Sequence, residues 1–256
     1  MSVFNRVLAS IGIGSAVVDT IIEEKEFVPG SEIKGVVTIR GGNVEQEVDS
    51  IYLSLKTFII VTHDDKKVRR DVELKQIRLT DSVLILPDET KELPFSIHIP
   101  YCTPISLQSN LVWLQTVLDI KNAIDPKDTD YIQVKPNKLM SSLLDTVQSL
   151  GFRNREVTTE KAPRFLQYIT PIVQEFELVP TSGIFRGKLD ELEVILIPEN
   201  DEKLLVYFEI DRKARGFSGI FYEMMETDES HVKFHITTKD LPNLKEQVQS
   251  IISRYA

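Results

Sequence analysis

The chain has 256 residues, 42% of them hydrophobic and 27% charged, with a formal net charge of −9. That ordinary globular composition excludes collagenous, disordered and disulfide-stapled classes, and the length points to two domains or one large β unit. One cysteine, Cys102, cannot form an internal disulfide, which fits a reducing, cytoplasmic compartment, and no apolar run approaches the roughly 20 residues of a membrane-spanning helix.

The opening stretch spaces Phe4, Val7, Leu8 and Ile11 on one helical face. It lacks the dense apolar centre of a signal peptide. Fully burying one apolar side chain stabilises by roughly 1.5–3 kcal/mol, whereas a basic residue near a membrane contributes only about 1 kcal/mol, and Arg6 stands alone. The face therefore predicts packing on the protein or on a second copy, with lipid binding the weaker alternative. From Ser15 the period becomes two, the mark of strands with one buried face. Ile33, Gly35, Val37 and Ile39 alternate with polar neighbours, as do Ile51, Leu53 and Leu55. Val68, Val72 and Leu74 share one parity and Ile77 and Leu79 take the other, which predicts a bulge near Lys75–Gln76. Within this run, Lys66, Lys67, Arg69 and Arg70 form the one basic cluster; acidic neighbours make it a solvated strand and turn, with an acidic partner as the alternative. Because charge is otherwise spread evenly, no basic face is left for nucleic acid.

Leu93, Phe95, Ile97 and Ile99 make the next strand, followed by Val112, Leu114, Leu118 and Ile120, then Ile132 and Val134. Many short strands separated by turn residues predict an antiparallel sandwich. A domain boundary falls near Pro136, giving domains 1–135 and 136–256. Leu139, Leu143, Val147 and Leu150 predict a linker helix stopped by Gly151. Strands then resume through Ile172, Phe176 and Leu178, through Leu192, Val194 and Leu196, and through Leu204 to Ile210, the last two joined as a hairpin over 198–203. Val232, Phe234 and Ile236 supply one more, and a closing helix aligns Leu241, Leu244, Val248, Ile251 and Tyr255, with Asp240 at its start.

Catalytic and cofactor patterns are not met. Gly12-Ile13-Gly14 lacks the third glycine of a dinucleotide loop and precedes a strand. His231 and His235 alternate with apolar residues and so point together from the outer face of a strand, without the glutamate of a zinc protease helix. Asp125, Asp128 and Asp130 lack the glycine and distal glutamate of a calcium loop, which leaves a hairpin connection. Cys102 has no neighbouring cation to favour thiolate. Carboxylates such as Glu191 and Glu193 are plentiful, but a linear sequence does not show two converging. No catalytic residue, cofactor or metal is predicted.

Three stretches carry a family resemblance. PGSEIKGVVTIRGG from Pro29 to Gly42 is followed by IYLSLKT from Ile51 to Thr57, and LPFSIHIP from Leu93 to Pro100 precedes Thr103–Pro104. These resemble the amino-terminal domain of the arrestin clan. With the opening helix, GIGSAVVD from Gly12 to Asp19, and a two-domain order, the chain resembles the bacterial sporulation-control family, sporulation stage zero protein M. The resemblance implies a mainly β fold of two arrestin-like antiparallel sandwich domains with short N-terminal, inter-domain and C-terminal helices. It further implies a cytoplasmic regulator of sporulation initiation that is no enzyme, an adaptor whose protein partners include cell-division or cytoskeletal components. Phosphate sensing is not transferred, since the charged core and tail of eukaryotic arrestins have no residue-by-residue match.

Partner binding is expected at the open sheet edges, at the basic cluster, or through the terminal helices, which could also form a homodimer. Small-ligand binding is the competing class: Trp113, Tyr101, Tyr207 and Tyr222 could stack on carbohydrate or lipid. Trp113 has opposite parity to Val112 and Leu114, so its exposure separates the two readings.

Overall fold

The computed structural model describes residues 15–63, 66–120, 124–212 and 231–256. Phe4, Val7, Leu8, Ile11, the Gly12–Gly14 connector and Tyr222 lie outside them. The chain is mainly β and forms two compact units. The first takes the described parts of Met1–Phe58, Asp71–Ser106 and Leu111–Lys135; the second takes Ile59–Arg70, Leu107–Asn110 and Pro136–Ala256.

In the first unit β1 (Val17–Ile22), β3 (Glu32–Arg40) and β7 (Thr90–His98) form an antiparallel sheet in the order β1-β3-β7. A larger sheet runs β2 (Glu26–Phe27), β9 (Lys127–Val134), β8 (Val112–Ile120), β4 (Gln46–His63) and β5 (Lys66–Thr80), with β6 (Val83–Ile85) on β4. Alternation decides which side chains are buried: Ile33, Val37 and Ile39 on β3, Phe95 and Ile97 on β7, and Ile51, Leu53 and Leu55 on β4 are all core. Pro94, which has no N–H to give, sits on β7, an edge strand. At Gly35 a Cβ would run into the Ile21 carbonyl and the Phe95 ring, so close strand approach requires glycine. The hydroxyls of Thr20 on β1 and Thr116 on β8 meet at 2.6 Å in the interior and join the two sheets. β5 is continuous, yet its half-buried positions change parity between Leu74 and Ile77. Glu73 and Gln76 both reach the Ser54 hydroxyl, which residues three apart in a regular strand would not do.

The second unit carries β10 (Phe152–Lys161), β11 (Ile172–Pro180), β12 (Leu189–Asn200), β13 (Lys203–Arg212) and β14 (His231–Thr237), antiparallel and in sequence order. One face of this sheet is core: Phe176, Leu178, Leu192, Val194, Val206, Phe208 and Ile236 are buried. Helix α1 (Lys138–Ser149) packs against β10, β13 and the closing helix α2 (Leu244–Ser253). Asn137 starts α1 by accepting the Met140 N–H at 3.0 Å. Gly151 stops it at φ 102°, where the Ser182 carbonyl leaves no room for a Cβ. β10 is an edge strand, and residues 107–110 cover it: Gln108 Oε1 accepts the Val157 N–H, while buried Asn110 donates to the Val157 carbonyl and accepts from Thr159.

Both ends of α1 are therefore set by side-chain and backbone geometry that single substitutions remove. Asn137→Ala is expected to cost about 0.5–2 kcal/mol. Gly151→Ala should cost more, since backbone strain alone is worth roughly 1–3 kcal/mol and the clash adds to it. Urea unfolding with a lowered midpoint and an unchanged slope is the check.

Candidate functional site

The second face of the β10–β14 sheet is where the sequence does something the core does not explain. Residues in register on adjacent antiparallel strands share a face and nearly touch. Glu156 pairs with Glu177, Glu177 with Glu193, Glu193 with Glu209, and Glu209 with His231. Four carboxylates thus run in one row across four strands, ending on a histidine. Glu175 lies beside the row on β11, and Glu191 and Asp211 form a further opposed acidic pair on β12 and β13.

Beyond the acidic half, the same face turns apolar. Val173, Ile197 and Leu205 cluster with Ala162 and Leu166, with Ile195 and Tyr207 packed alongside. Ala162 and Leu166 belong to the turn-rich connection between β10 and β11, which thus covers the apolar half. Phe165 in this cover stacks on Tyr207 at 5.6 Å between ring centres, yet stays 57% exposed; Tyr168 is 77% exposed. Lys233 Nζ lies 5.4 Å from the centre of the Tyr207 ring.

Cations reach the acidic half at few points. The register of β10 slips between Asn154 and Glu156, and the intervening Arg155 swings over the face. Its Nε and Nη2 donate to Glu177 Oε2 at 3.0 and 2.9 Å, and it also ion-pairs with Glu191. Lys67 reaches Glu156 at 3.3 Å, and His231 approaches Glu209 at 3.4 Å. Among the described residues no cation pairs with Glu175 or Glu193. Burial, followed by repulsion from Glu160, Glu177, Glu209 and Glu191, pushes Glu175 up to about 7. Burial, then Glu175, Glu209, Glu191 and Asp211, pushes Glu193 up to about 8. The contacts with Glu177 and Glu191 in turn hold Arg155 above its ordinary value, hydrogen bonding to Glu177 foremost.

The residues singled out from sequence fall in different places. Lys66, Lys67, Arg69 and Arg70 are exposed on β5, and Lys67 is brought to the end of the glutamate row. Leu244 and Val248, expected on a face open to a partner, are instead buried with Ile252, so that stripe is spent on the chain's own core. Leu241 and Ile251 are half-buried. Leu241 belongs to a 3₁₀ turn, Leu241–Asn243, that precedes α2 and contains Pro242. Asp240 precedes that turn and accepts from the Thr237 N–H and hydroxyl, both at 2.7 Å, making no side-chain cap bond to it. His231 and His235 do project from one outer face, each onto a glutamate. Asp125 and Asp128 serve backbone, accepting from the Ile120 and Thr20 N–H groups. Asp130 is pushed up to about 6 by burial and by Asp128 beside it. The aromatic residues are not gathered: Trp113 is 8% exposed and packs on Tyr131, Tyr101 lies against His98, and Tyr207 belongs to the apolar half just described.

Comparison with known proteins gives one consistent result. The profile of the family described as "Spo0M: SpoOM protein" matches residues 4–214. A curated relative, the "Sporulation-control protein spo0M" of Bacillus subtilis (strain 168), is 39% identical over 259 residues, covering 100% of both chains. The crystal structure of Spo0M, sporulation control protein, from Bacillus subtilis superposes with a TM-score of 0.84 at 35% identity, covering 95% of this chain and 100% of that one.

The raised glutamates give the second unit a pH dependence with a definite sign. In the folded state Glu193 keeps its proton up to about 8, while the unfolded chain loses it near the ordinary 4.5. The folded state thus binds more protons across that interval, so stability falls as pH rises through it. Glu193→Gln, which imitates the protonated form, should raise the unfolding temperature at pH 8.5 and change little near pH 4.5. Allowing for screening at a half-exposed site, the gain is on the order of 1 kcal/mol, a shift of roughly 2–4 °C. Thermal unfolding of both proteins at the two pH values measures it.

Proposed function

Because the chain belongs to the SpoOM protein family, we propose that it is a non-catalytic regulator in the control of sporulation initiation, an adaptor that works by binding other proteins. The observation that carries this reading is the correspondence with the Bacillus subtilis sporulation-control protein, which spans both chains in full and is not confined to one unit. The glutamates described on the second unit's sheet lie in register along a pleated face and not as a pair flanking a substrate, which supports a binding role. The edge strands and half-covered faces offer routes for a partner strand or helix. Cell-division or cytoskeletal proteins are the proposed partners, and the cytoplasm the proposed compartment. Among the described residues no helix is long and apolar enough to cross a membrane.

Complementation tests the proposal. In a Bacillus subtilis strain lacking its own spo0M, production of this chain should return the count of heat-resistant spores to the parental level. Unchanged counts, with the folded chain present in the cells, would overturn the regulatory reading.

A further inference from the structure

We infer that the connection between β10 and β11 docks the second unit onto an anionic lipid surface, through the side chains of Phe165, Tyr168 and Ile169 and the cations Lys161, Arg164 and Lys233. The inference goes beyond the adaptor reading and does not depend on it. The connection is a built loop. The Ala162 N–H donates to the Pro171 carbonyl at 3.0 Å, the Thr170 N–H to the Leu166 carbonyl at 3.0 Å, and the Gln167 side-chain amide to the Ala162 carbonyl at 2.8 Å. Ala162 and Leu166 anchor it in the apolar half of the sheet. Within that frame Phe165 is 57% exposed, Tyr168 77% and Ile169 37%. Apolar side chains exposed singly need no explanation. Three between Phe165 and Ile169, held out by a hydrogen-bonded loop, form a patch of the kind that a partner covers.

Charge selects the partner. From Lys161 to Gln174 the sequence holds two cations and no carboxylate, in a chain with 39 acidic residues. Lys161, Arg164 and Lys233 are exposed, and none is ion-paired with a carboxylate among the described residues. Rings and a cation gather at one place: Phe165 meets Tyr207, and Lys233 Nζ lies over that same ring. Hydrogen bonding to Tyr207 foremost, with Tyr168 contributing, holds the Lys233 ammonium above its ordinary value. Tyrosine and phenylalanine beside lysine and arginine suit a membrane–water boundary, where rings sit at headgroup level and cationic heads reach the lipid phosphates. A partner strand is served less well. The N–H groups of Ala162, Leu166, Gln167, Ile169 and Thr170 are all taken by carbonyls of the same loop, so it offers no strand edge. The glutamate row lies too far away to oppose docking. Glu177, Glu193 and Glu209 are four residues along their strands from Val173, Ile197 and Leu205, roughly 13 Å against a Debye length of about 8 Å. Of the closer carboxylates, Glu199 is paired with Lys203 and His235, and Glu175 is pushed up to about 7 by burial and its acidic neighbours. Glu160, opposite Val173, is outnumbered by the three cations.

Sedimentation of the full chain with vesicles of phosphatidylcholine, alone or with one-third phosphatidylglycerol, tests the inference at 150 mM salt and pH 7.5. Binding is expected to the anionic vesicles only. A basic residue near such a surface strengthens binding roughly fivefold, so Lys161→Gln/Arg164→Gln should weaken it about twentyfold. Phe165→Ser/Tyr168→Ser should weaken it at least tenfold. Val17→Ser/Ile21→Ser, which removes two exposed apolar side chains of the first unit, should stay within twofold of the parent. Thermal unfolding verifies that each variant folds, and Tyr168→Ser alone, at the most exposed position, serves if the Phe165 change does not. Tyr168→Trp gives a second readout: its emission should shift to the blue with anionic vesicles, over a constant background from buried Trp113. No binding to anionic vesicles, binding without the blue shift, or equal weakening in loop and control variants overturns the proposal. Loss of binding in Phe4→Ser/Leu8→Ser with the loop variants unaffected overturns it in favour of the opening stretch. Where vesicles do not bind yet Phe165→Ser/Tyr168→Ser abolishes spore restoration, the patch meets a protein and the lipid proposal falls. Vesicle binding by a chain that restores no spores overturns the regulatory reading alone.

Discussion

A β-strand sends alternate side chains to opposite faces of its sheet, and every residue of β10–β14 is bound by that constraint. The even-numbered positions of β11, β12, β13 and β14 supply the core, where Phe176, Val194, Phe208 and Ile236 are excluded from water. The odd positions must then appear together on the other face. There the sheet divides along its length: Val173, Ile197 and Leu205 are covered by the connection carrying Leu166, while Glu175, Glu177, Glu193 and Glu209 remain half-covered. An apolar half left in water would have been an aggregation hazard. An acidic half carries no such hazard, but it sets charge against charge.

The fold manages that repulsion by two devices of different kind. One is geometric: the slip in β10 places an extra residue, Arg155, and re-aims its guanidinium onto Glu177 and Glu191. A bulge does this at the price of one unpaired position. The other is chemical: Glu175 and Glu193 hold protons to about 7 and about 8, so the row need not carry its full charge at neutral pH. Together they leave a face with less charge to repel itself than its count of carboxylates implies.

Much of this was legible in the sequence. Strict alternation placed β3, β4, β7 and β8, the hairpin between β12 and β13, and the outward histidines His231 and His235. Helical spacing with Gly151 gave α1 and its end. β10 escaped because FRNREVTTEK is polar on both parities and the bulge at Arg155 breaks its period; only Phe152, Val157 and Thr159 are buried. Trp113, outward by parity, is covered all the same by its cross-strand neighbour Tyr131, so strand period alone does not decide the exposure of a large ring. The glutamate row had a signal that pairwise inspection of Glu191 and Glu193 does not expose. Three successive strands each carry an acidic–apolar–acidic triplet: Glu175-Phe176-Glu177, Glu191-Leu192-Glu193 and Glu209-Ile210-Asp211. Alternation puts all six acids on one face; only the register shows which of them are neighbours.

The dimensions of the row determine the range over which it acts. Neighbouring strands lie about 4.8 Å apart, so Glu156 to Glu209 spans three gaps, roughly 14 Å. At physiological ionic strength the Debye length is about 8 Å, shorter than the row, and protonation at its centre dilutes the field further. Attraction from a distance is therefore weak, and the face does little to steer an approaching molecule.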